Sequence, residues 1–212
     1  MPYQPSRAVL LKSLRSPVRP WSRRNRSHLI VTAVSNCDDF AGRAPMLSYL
    51  RQRLNSRFVN FGNCENTASL PRERNHKEER LMAKFAGSSF FYLALENSVC
   101  EDYITEKLWR AVRAGAVPVV FDAPQRLFGG ADTSDAPLIP GYRRVLPPGS
   151  YVNIANFSSA DALMEHLEAV ARDPIAYNAC GSHCTMPEAL ALFSCAVRDF
   201  LVCYVHVLRT TH

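Results

Sequence analysis

No run of about 20 apolar residues, the length needed to cross a bilayer as a helix, occurs in this chain. Its longest apolar stretches, around Phe90–Leu95 and Ala114–Phe121, are strand-sized, and a soluble chain is expected. Val9-Leu10-Leu11 is too short for the apolar core of a secretory signal. Gly-x-Gly-x-x-Gly, Gly-x-x-x-x-Gly-Lys, Gly-x-Ser-x-Gly and His-Glu-x-x-His are all missing, which removes the usual dinucleotide, P-loop, hydrolase and zincin readings. Acidic residues are missing too, up to Asp38, while Arg7, Lys12, Arg15, Arg19, Arg23, Arg24 and Arg26 precede it among Ser and Pro.

That leader carries much of the net charge of +6 and of the isoelectric point near 9.1. Residues 1–28 are expected to be a disordered basic leader, with an organellar transit peptide as the less favoured alternative. The balance favours anionic partners. Nucleic acid is not expected among them, because the leader offers only Tyr3 and Trp21 for stacking and no reader motif. The remaining composition, 47% hydrophobic and 21% charged over 212 residues, suits one α/β core.

Seven cysteines leave at least one unpaired within the chain. Four of them, Cys180, Cys184, Cys195 and Cys203, crowd the end of the chain, which suggests one or two local disulfides and an oxidising compartment. Cys180, His183 and Cys184 lack the paired clusters of a structural zinc site, and no metal is expected. Asn25-Arg26-Ser27 and Asn156-Phe157-Ser158 are glycosylation tripeptides, a pattern that also arises by chance.

Leu29–Val34, Phe58–Phe61, Ser89–Leu95 and Ala116–Phe121 read as short buried strands of the kind parallel sheets use. Met46, Leu47, Leu50 and Leu54 follow Pro45 at helical spacing, with Arg51 and Arg53 on the wet side. Glu65–Lys84 reads as a solvated loop or the exposed start of a helix. Ile104, Leu108, Ala111 and Val112 line one face of a helix that Asp102 or Thr105 can cap and Gly115 can end. A further helix starts at Ser159, with Leu163, Leu167 and Val170 at core spacing, and Leu190–Leu208 reads as a last apolar helix. Strand, polar loop, capped helix and strand over residues 89–121 make a right-handed βαβ unit whose loop lies at the carboxyl edge of the sheet, where open α/β folds bind ligands.

Five polar residues stand near those strand ends. Arg43, just past the first strand, can clamp a phosphate by two parallel hydrogen bonds, although a surface arginine is the plainer reading. Lys107 lies in the first turn of a helix, where the dipole disfavours a cation unless an anion bridges the two. Glu106 suits that dipole with or without a ligand and could accept from ribose hydroxyls, and Asn97 and Tyr103 can donate to diphosphate or sugar oxygens. Residues alone stop at an α/β domain that binds a nucleotide-like anion.

Phe91-Tyr92-Leu93-Ala94-Leu95-Glu96-Asn97-Ser98, then Glu101-Asp102-Tyr103-Ile104-Thr105-Glu106-Lys107-Leu108-Trp109-Arg110, then Ala114-Gly115-Ala116-Val117-Pro118-Val119-Val120 closely resemble the signature block of the α1,3-fucosyltransferases (glycosyltransferase family 10). Val34-Ser35-Asn36-Cys37 with Arg43 is similar to the strand and phosphate arginine that precede that block in the family. Pro147-Pro148-Gly149-Ser150-Tyr151-Val152 is similar to its later Pro-rich strand. The cysteine-rich end resembles the plant and algal members.

The resemblance implies an α/β fold, the Rossmann-like C-terminal domain of a GT-B glycosyltransferase, with a parallel sheet flanked by helices. It spans residues 29–180 and is followed by a Cys-containing helical tail over 181–212. It implies GDP-fucose as donor, a glycan or glycoprotein acceptor, inversion at the fucose carbon, an α1,3-type linkage, no required cofactor, and the Golgi lumen as location, full-length relatives being membrane-anchored. Ser35, Asn36, Arg43, Glu96, Asn97, Tyr103, Thr105, Glu106 and Lys107 are the implied donor-binding residues, with Arg43 and Lys107 neutralising the leaving diphosphate. In the family the general base is a carboxylate of an N-terminal domain, for which the 28 residues before the first strand leave no room. A donor-binding half that lacks part of its catalytic apparatus, or a relative that binds without transfer, is therefore the expectation. Asp122 in place of the family's glycine, an insertion over residues 125–144 and extra residues at 86–88 depart from the pattern on the fucose side.

Overall fold

A computed structural model describes residues 20–24, 27–38, 41–69, 77–97, 103–121, 141–146 and 148–182. Its centre is a parallel sheet in which β1 (Ile30–Thr32), β2 (Phe58–Asn60), β3 (Phe91–Leu93), β4 (Val117–Val120) and β5 (Val152–Asn153) lie in the order β2-β1-β3-β4-β5. Val31 stands opposite Val59 on one side and Tyr92 on the other, Phe91 opposite Val117, and Val119 opposite Val152. The strands are shorter than the apolar runs that announce them, because neighbouring groups bond elsewhere. The Val34 amide donates to the Asn60 side chain (3.1 Å), and the Ser89 amide donates to the Phe85 carbonyl (3.0 Å).

The period-two alternation of a strand divides the buried side chains between two layers. Ile30, Phe58, Phe91, Leu93, Val117 and Val119 face α1 (Ala44–Leu54), α5 (Ala160–Arg172) and α6 (Pro174–Ser182). Val31, Val59, Tyr92 and Val120 face α2 (Lys77–Ser88), α3 (Glu106–Ala114) and α4 (Gly141–Val145). Met46, Leu47, Leu50 and Leu54 are all buried on α1, and Leu163, Leu167 and Val170 on α5, as their spacing predicts. Of the two readings of 65–84, a solvated loop or the start of a helix, the second holds from Lys77 on, where α2 begins; Met82 and Ala86 bury one face of it against the sheet. Gly115 closes α3 at φ 67°, a left-handed turn that glycine takes without a Cβ clash.

Trp21 and Arg24, which precede β1, belong to this body as well. The Trp21 indole donates to the Ala171 carbonyl at 2.7 Å, and its backbone amide to the Asn178 side chain at 2.9 Å. The buried Arg24 guanidinium reaches the carbonyls of Gly87 (2.8 Å), Ser89 (3.1 Å) and Gly115 at the amino edge of the sheet, and lies over the Tyr177 ring. The covalent link in the described residues is Cys37–Cys64. Cys180 is a free, half-buried thiol, and the tail pairings, the zinc alternative and the Leu190–Leu208 helix fall outside the described residues. Among those residues no helix is long and apolar enough to cross a membrane.

Candidate functional site

Strand order locates the site. From β1 the chain passes through α1 to β2 on one side, then through α2 to β3 on the other. A crevice therefore opens beyond the carboxyl ends of β1 and β3, the switch point at which open α/β sheets take their ligands. β1 delivers the exposed Ser35 and Asn36 to this crevice; β3 delivers Glu96 and Asn97; α3 starts there.

Glu96 is 3% exposed, a position where a carboxylate survives only with partners. It accepts from the Thr105 amide (2.8 Å), from the Thr105 hydroxyl (2.7 Å) and from Lys107 Nζ (3.2 Å). Thr105 also caps α3, accepting from the Lys107 amide at 3.5 Å. Lys107 Nζ is held in addition by the Thr105 hydroxyl (3.0 Å) and by Glu106 (3.4 Å). The position beside a helix N-terminus is thus occupied by a lysine whose cost against the dipole is offset by two carboxylates.

Burial pushes the Glu96 carboxyl up from the usual range, opposed by the Lys107 charge and the Thr105 hydrogen bonds. Burial would lower the Lys107 value, but the charges of Glu96 and Glu106 outweigh it and raise the ammonium above its ordinary 10.5. Burial pushes Glu106 up, yet Lys107 and its hydrogen bonds prevail and hold it low. The side chain of Glu106 is 36% exposed and its contact the longest of the three to Lys107, so it is the partner an incoming anion can displace, while Glu96 stays. Thr105→Val removes the cap and one support of Glu96 together. It is expected to cost about 1–2 kcal/mol, read as a lowered urea midpoint with an unchanged slope.

The other implied residues meet the same crevice in different ways. Tyr103 donates to Asn97 Oδ1 at 3.1 Å, and burial, with Glu96 nearby, raises its phenol. Arg43 is not a surface arginine. It is 2% exposed and donates to the carbonyls of Leu95 (3.4 Å), Asp38 (3.4 Å) and Asn36. It ties the loop after β1 to the end of β3 and places a guanidinium beneath the crevice. Residue reasoning missed Asn60, a fully buried amide that holds the loop after β1 from the opposite side; the signal available was a polar residue inside an otherwise apolar strand. Asp122 and most of the 125–144 insertion lie outside the described residues. Among the described residues no cluster of three or more His, Cys, Asp or Glu is arranged to hold a metal ion.

The arrangement can hold a small dianion between a helix N-terminus and a fixed ammonium, with hydroxyl and amide donors around it. The family described as glycosyltransferase family 10 (fucosyltransferase), C-terminal part, matches residues 23–180, a span that contains every candidate residue. An alpha-(1,3)-fucosyltransferase C of Drosophila melanogaster is 37% identical over 144 residues, which is 68% of this chain and 28% of that protein. A GDP-fucose protein O-fucosyltransferase 3 of Xenopus laevis is 37% identical over 104 residues, 48% of this chain and 22% of that one. A crystal structure of an α1,3-fucosyltransferase with GDP-fucose superposes with a TM-score of 0.54 at 18% identity, covering 82% of this chain and 48% of that chain. The fold is therefore that of the Rossmann-like half expected, and the chain spans about half or less of the length of these proteins.

Proposed function

We propose that this chain, which belongs to glycosyltransferase family 10, binds GDP-fucose at the β1–β3 crevice and supplies the donor side of an inverting fucosyl transfer that forms an α1,3-type linkage to a glycan or glycoprotein. The observation that carries this reading is the Glu96–Thr105–Lys107 cluster at the start of α3, inside the family-matched span.

In that reaction the acceptor oxygen bonds to the fucose anomeric carbon while the bond from that carbon to the β-phosphate oxygen breaks, and GDP departs with the electron pair. Lys107 and the α3 N-terminus stabilise the charge that develops on the diphosphate. Arg43 adds positive potential from below, Glu106 accepts from ribose hydroxyls, and Ser35, Asn36, Asn97 and Tyr103 orient donor oxygens. The acceptor proton needs a base of its own. Both carboxylates of the described site are engaged by Lys107, which favours a second reading in which the chain alone binds donor without transferring. We place the protein in the Golgi lumen, on a membrane-anchored full-length form; the Cys37–Cys64 disulfide supports an oxidising compartment.

Calorimetric titration with GDP and GDP-fucose, beside a radiolabelled transfer assay, tests both readings. Saturable binding with transfer supports the first, binding without transfer the second, and no binding by the folded chain refutes both. Lys107 also sets a pH dependence. Its folded value is raised above the unfolded one, so its ammonium contributes fully below that unfolded value and is lost only as pH rises through the folded value. GDP affinity should be flat from about pH 7.5 to about pH 8.5, below the ionisation of the guanine ring; a decline across that window would show that another group carries the anion.

A further inference from the structure

Asn60 closes the edge strand β2 and is fully buried, where an amide needs partners for both its oxygen and its nitrogen. Its Oδ1 accepts from the amides of Val34 (3.1 Å) and Gly62 (2.9 Å). Its Nδ2 donates to the carbonyls of Cys64 and Glu65. One side chain thus joins the loop after β1 to the loop after β2. The Val34 carbonyl accepts in turn from the Cys64 amide at 3.0 Å, so both backbone groups of Val34 are held from the β2 side.

Two features keep the second loop in place. Gly62 lies so close that a Cβ there would stand 2.0 Å from the Val34 oxygen. Glu65, at φ 52°, accepts from Ser48 (3.1 Å) and Arg51 (2.8 Å) on α1. Three residues past Val34 the Cys37–Cys64 disulfide fastens the same two loops again. The exposed Ser35 and Asn36 therefore sit between two fixed points, Val34 held by Asn60 and Cys37 held by Cys64, with the Asn36 carbonyl bound by Arg43.

From this we infer that Asn60 and the Cys37–Cys64 disulfide are positioning elements for the donor loop, holding Ser35 and Asn36 in the shape that receives the nucleotide before it arrives. The inference rests on the donor-site reading above. Its physical content is preorganisation: a loop ordered in advance loses less freedom on binding, and binding weakens when that order is released.

The test uses the full chain with Asn60→Ala and Cys37→Ser, and Leu167→Ala on α5 as a control that weakens the core away from the loop. GDP titration and amide hydrogen exchange are both read well below the melting temperature. The expected result is a rise of on the order of tenfold in the GDP dissociation constant for Asn60→Ala, with faster exchange confined to residues 34–37 and to the loop after β2 that the same side chain holds, and neither change in Leu167→Ala. Cys37→Ser should show the same signature more weakly, and it carries the test if Asn60→Ala does not fold. Wild-type GDP affinity in Asn60→Ala, or in Cys37→Ser where that variant carries the test, overturns the inference. Equal weakening by Leu167→Ala also overturns it, by reducing the effect to stability. A folded wild-type chain that binds no GDP sinks the donor-site reading, and this inference with it.

Discussion

Lys107→Ala should lower GDP affinity by roughly ten- to a hundredfold, the worth of one hydrogen bond to a charged group at about 1.5–3 kcal/mol. The substitution has a second consequence, because Glu96 is 3% exposed and loses the cation that compensates it. Removing one partner of a buried ion pair costs about 3–5 kcal/mol, whereas replacing both can be nearly neutral. Stability and binding are therefore separable. Lys107→Met combined with Glu96→Gln should regain most of the stability that Lys107→Ala loses and none of the GDP affinity. Thermal melts beside calorimetry distinguish the two effects. If Lys107→Met binds GDP as tightly as the wild type, the ammonium is not the anion's partner and the crevice is used in some other way.

A stability effect of the same size is expected far from the crevice. Arg24→Met keeps the length of the side chain but removes its bonds to the carbonyls of Gly87, Ser89 and Gly115 and its contact with the Tyr177 ring. Buried carbonyls left without a donor, together with a lost charged donor, point to about 3–5 kcal/mol. For a domain of this size that lowers the melting temperature by roughly 10 °C. The three carbonyls belong to the turns entering β3 and β4 at the amino edge of the sheet, opposite the crevice. GDP affinity measured below the transition should therefore not change. A melting temperature within about 1 °C of the wild type would show that Arg24 is a dispensable surface group.

Arg24 also shows where sequence reasoning stops. In the sequence it is one of seven basic residues in a Ser- and Pro-rich leader, and nothing local separates it from Arg7 or Arg15. Its role depends on three carbonyls that are 63 to 91 residues away. Asn60 and Cys64 are similar cases, since their partners lie on β1 and the loop after it. Arg43 could be singled out in the sequence, but its inward posture could not, because that posture depends on where Leu95 and Asp38 bring their carbonyls.

Local rules determined a good deal by themselves. Four short β-branched and aromatic runs can bury both faces only inside a parallel sheet. The helical spacing of Met46 to Leu54 and of Ile104 to Val112 can hide one face only, and Gly115 can end a helix because it lacks a Cβ. Lys107 in a first helical turn required a bound anion or nearby carboxylates, since only these make a cation acceptable there, and the structure supplies the carboxylates Glu96 and Glu106. Tertiary structure decided the rest: the strand order that opens the crevice between β1 and β3, the choice of Glu96 as the buried partner of Lys107, and the pairing of Cys37 with Cys64. These are contacts between segments far apart in the chain, and their energies depend on burial and distance, which arise only when the sheet assembles.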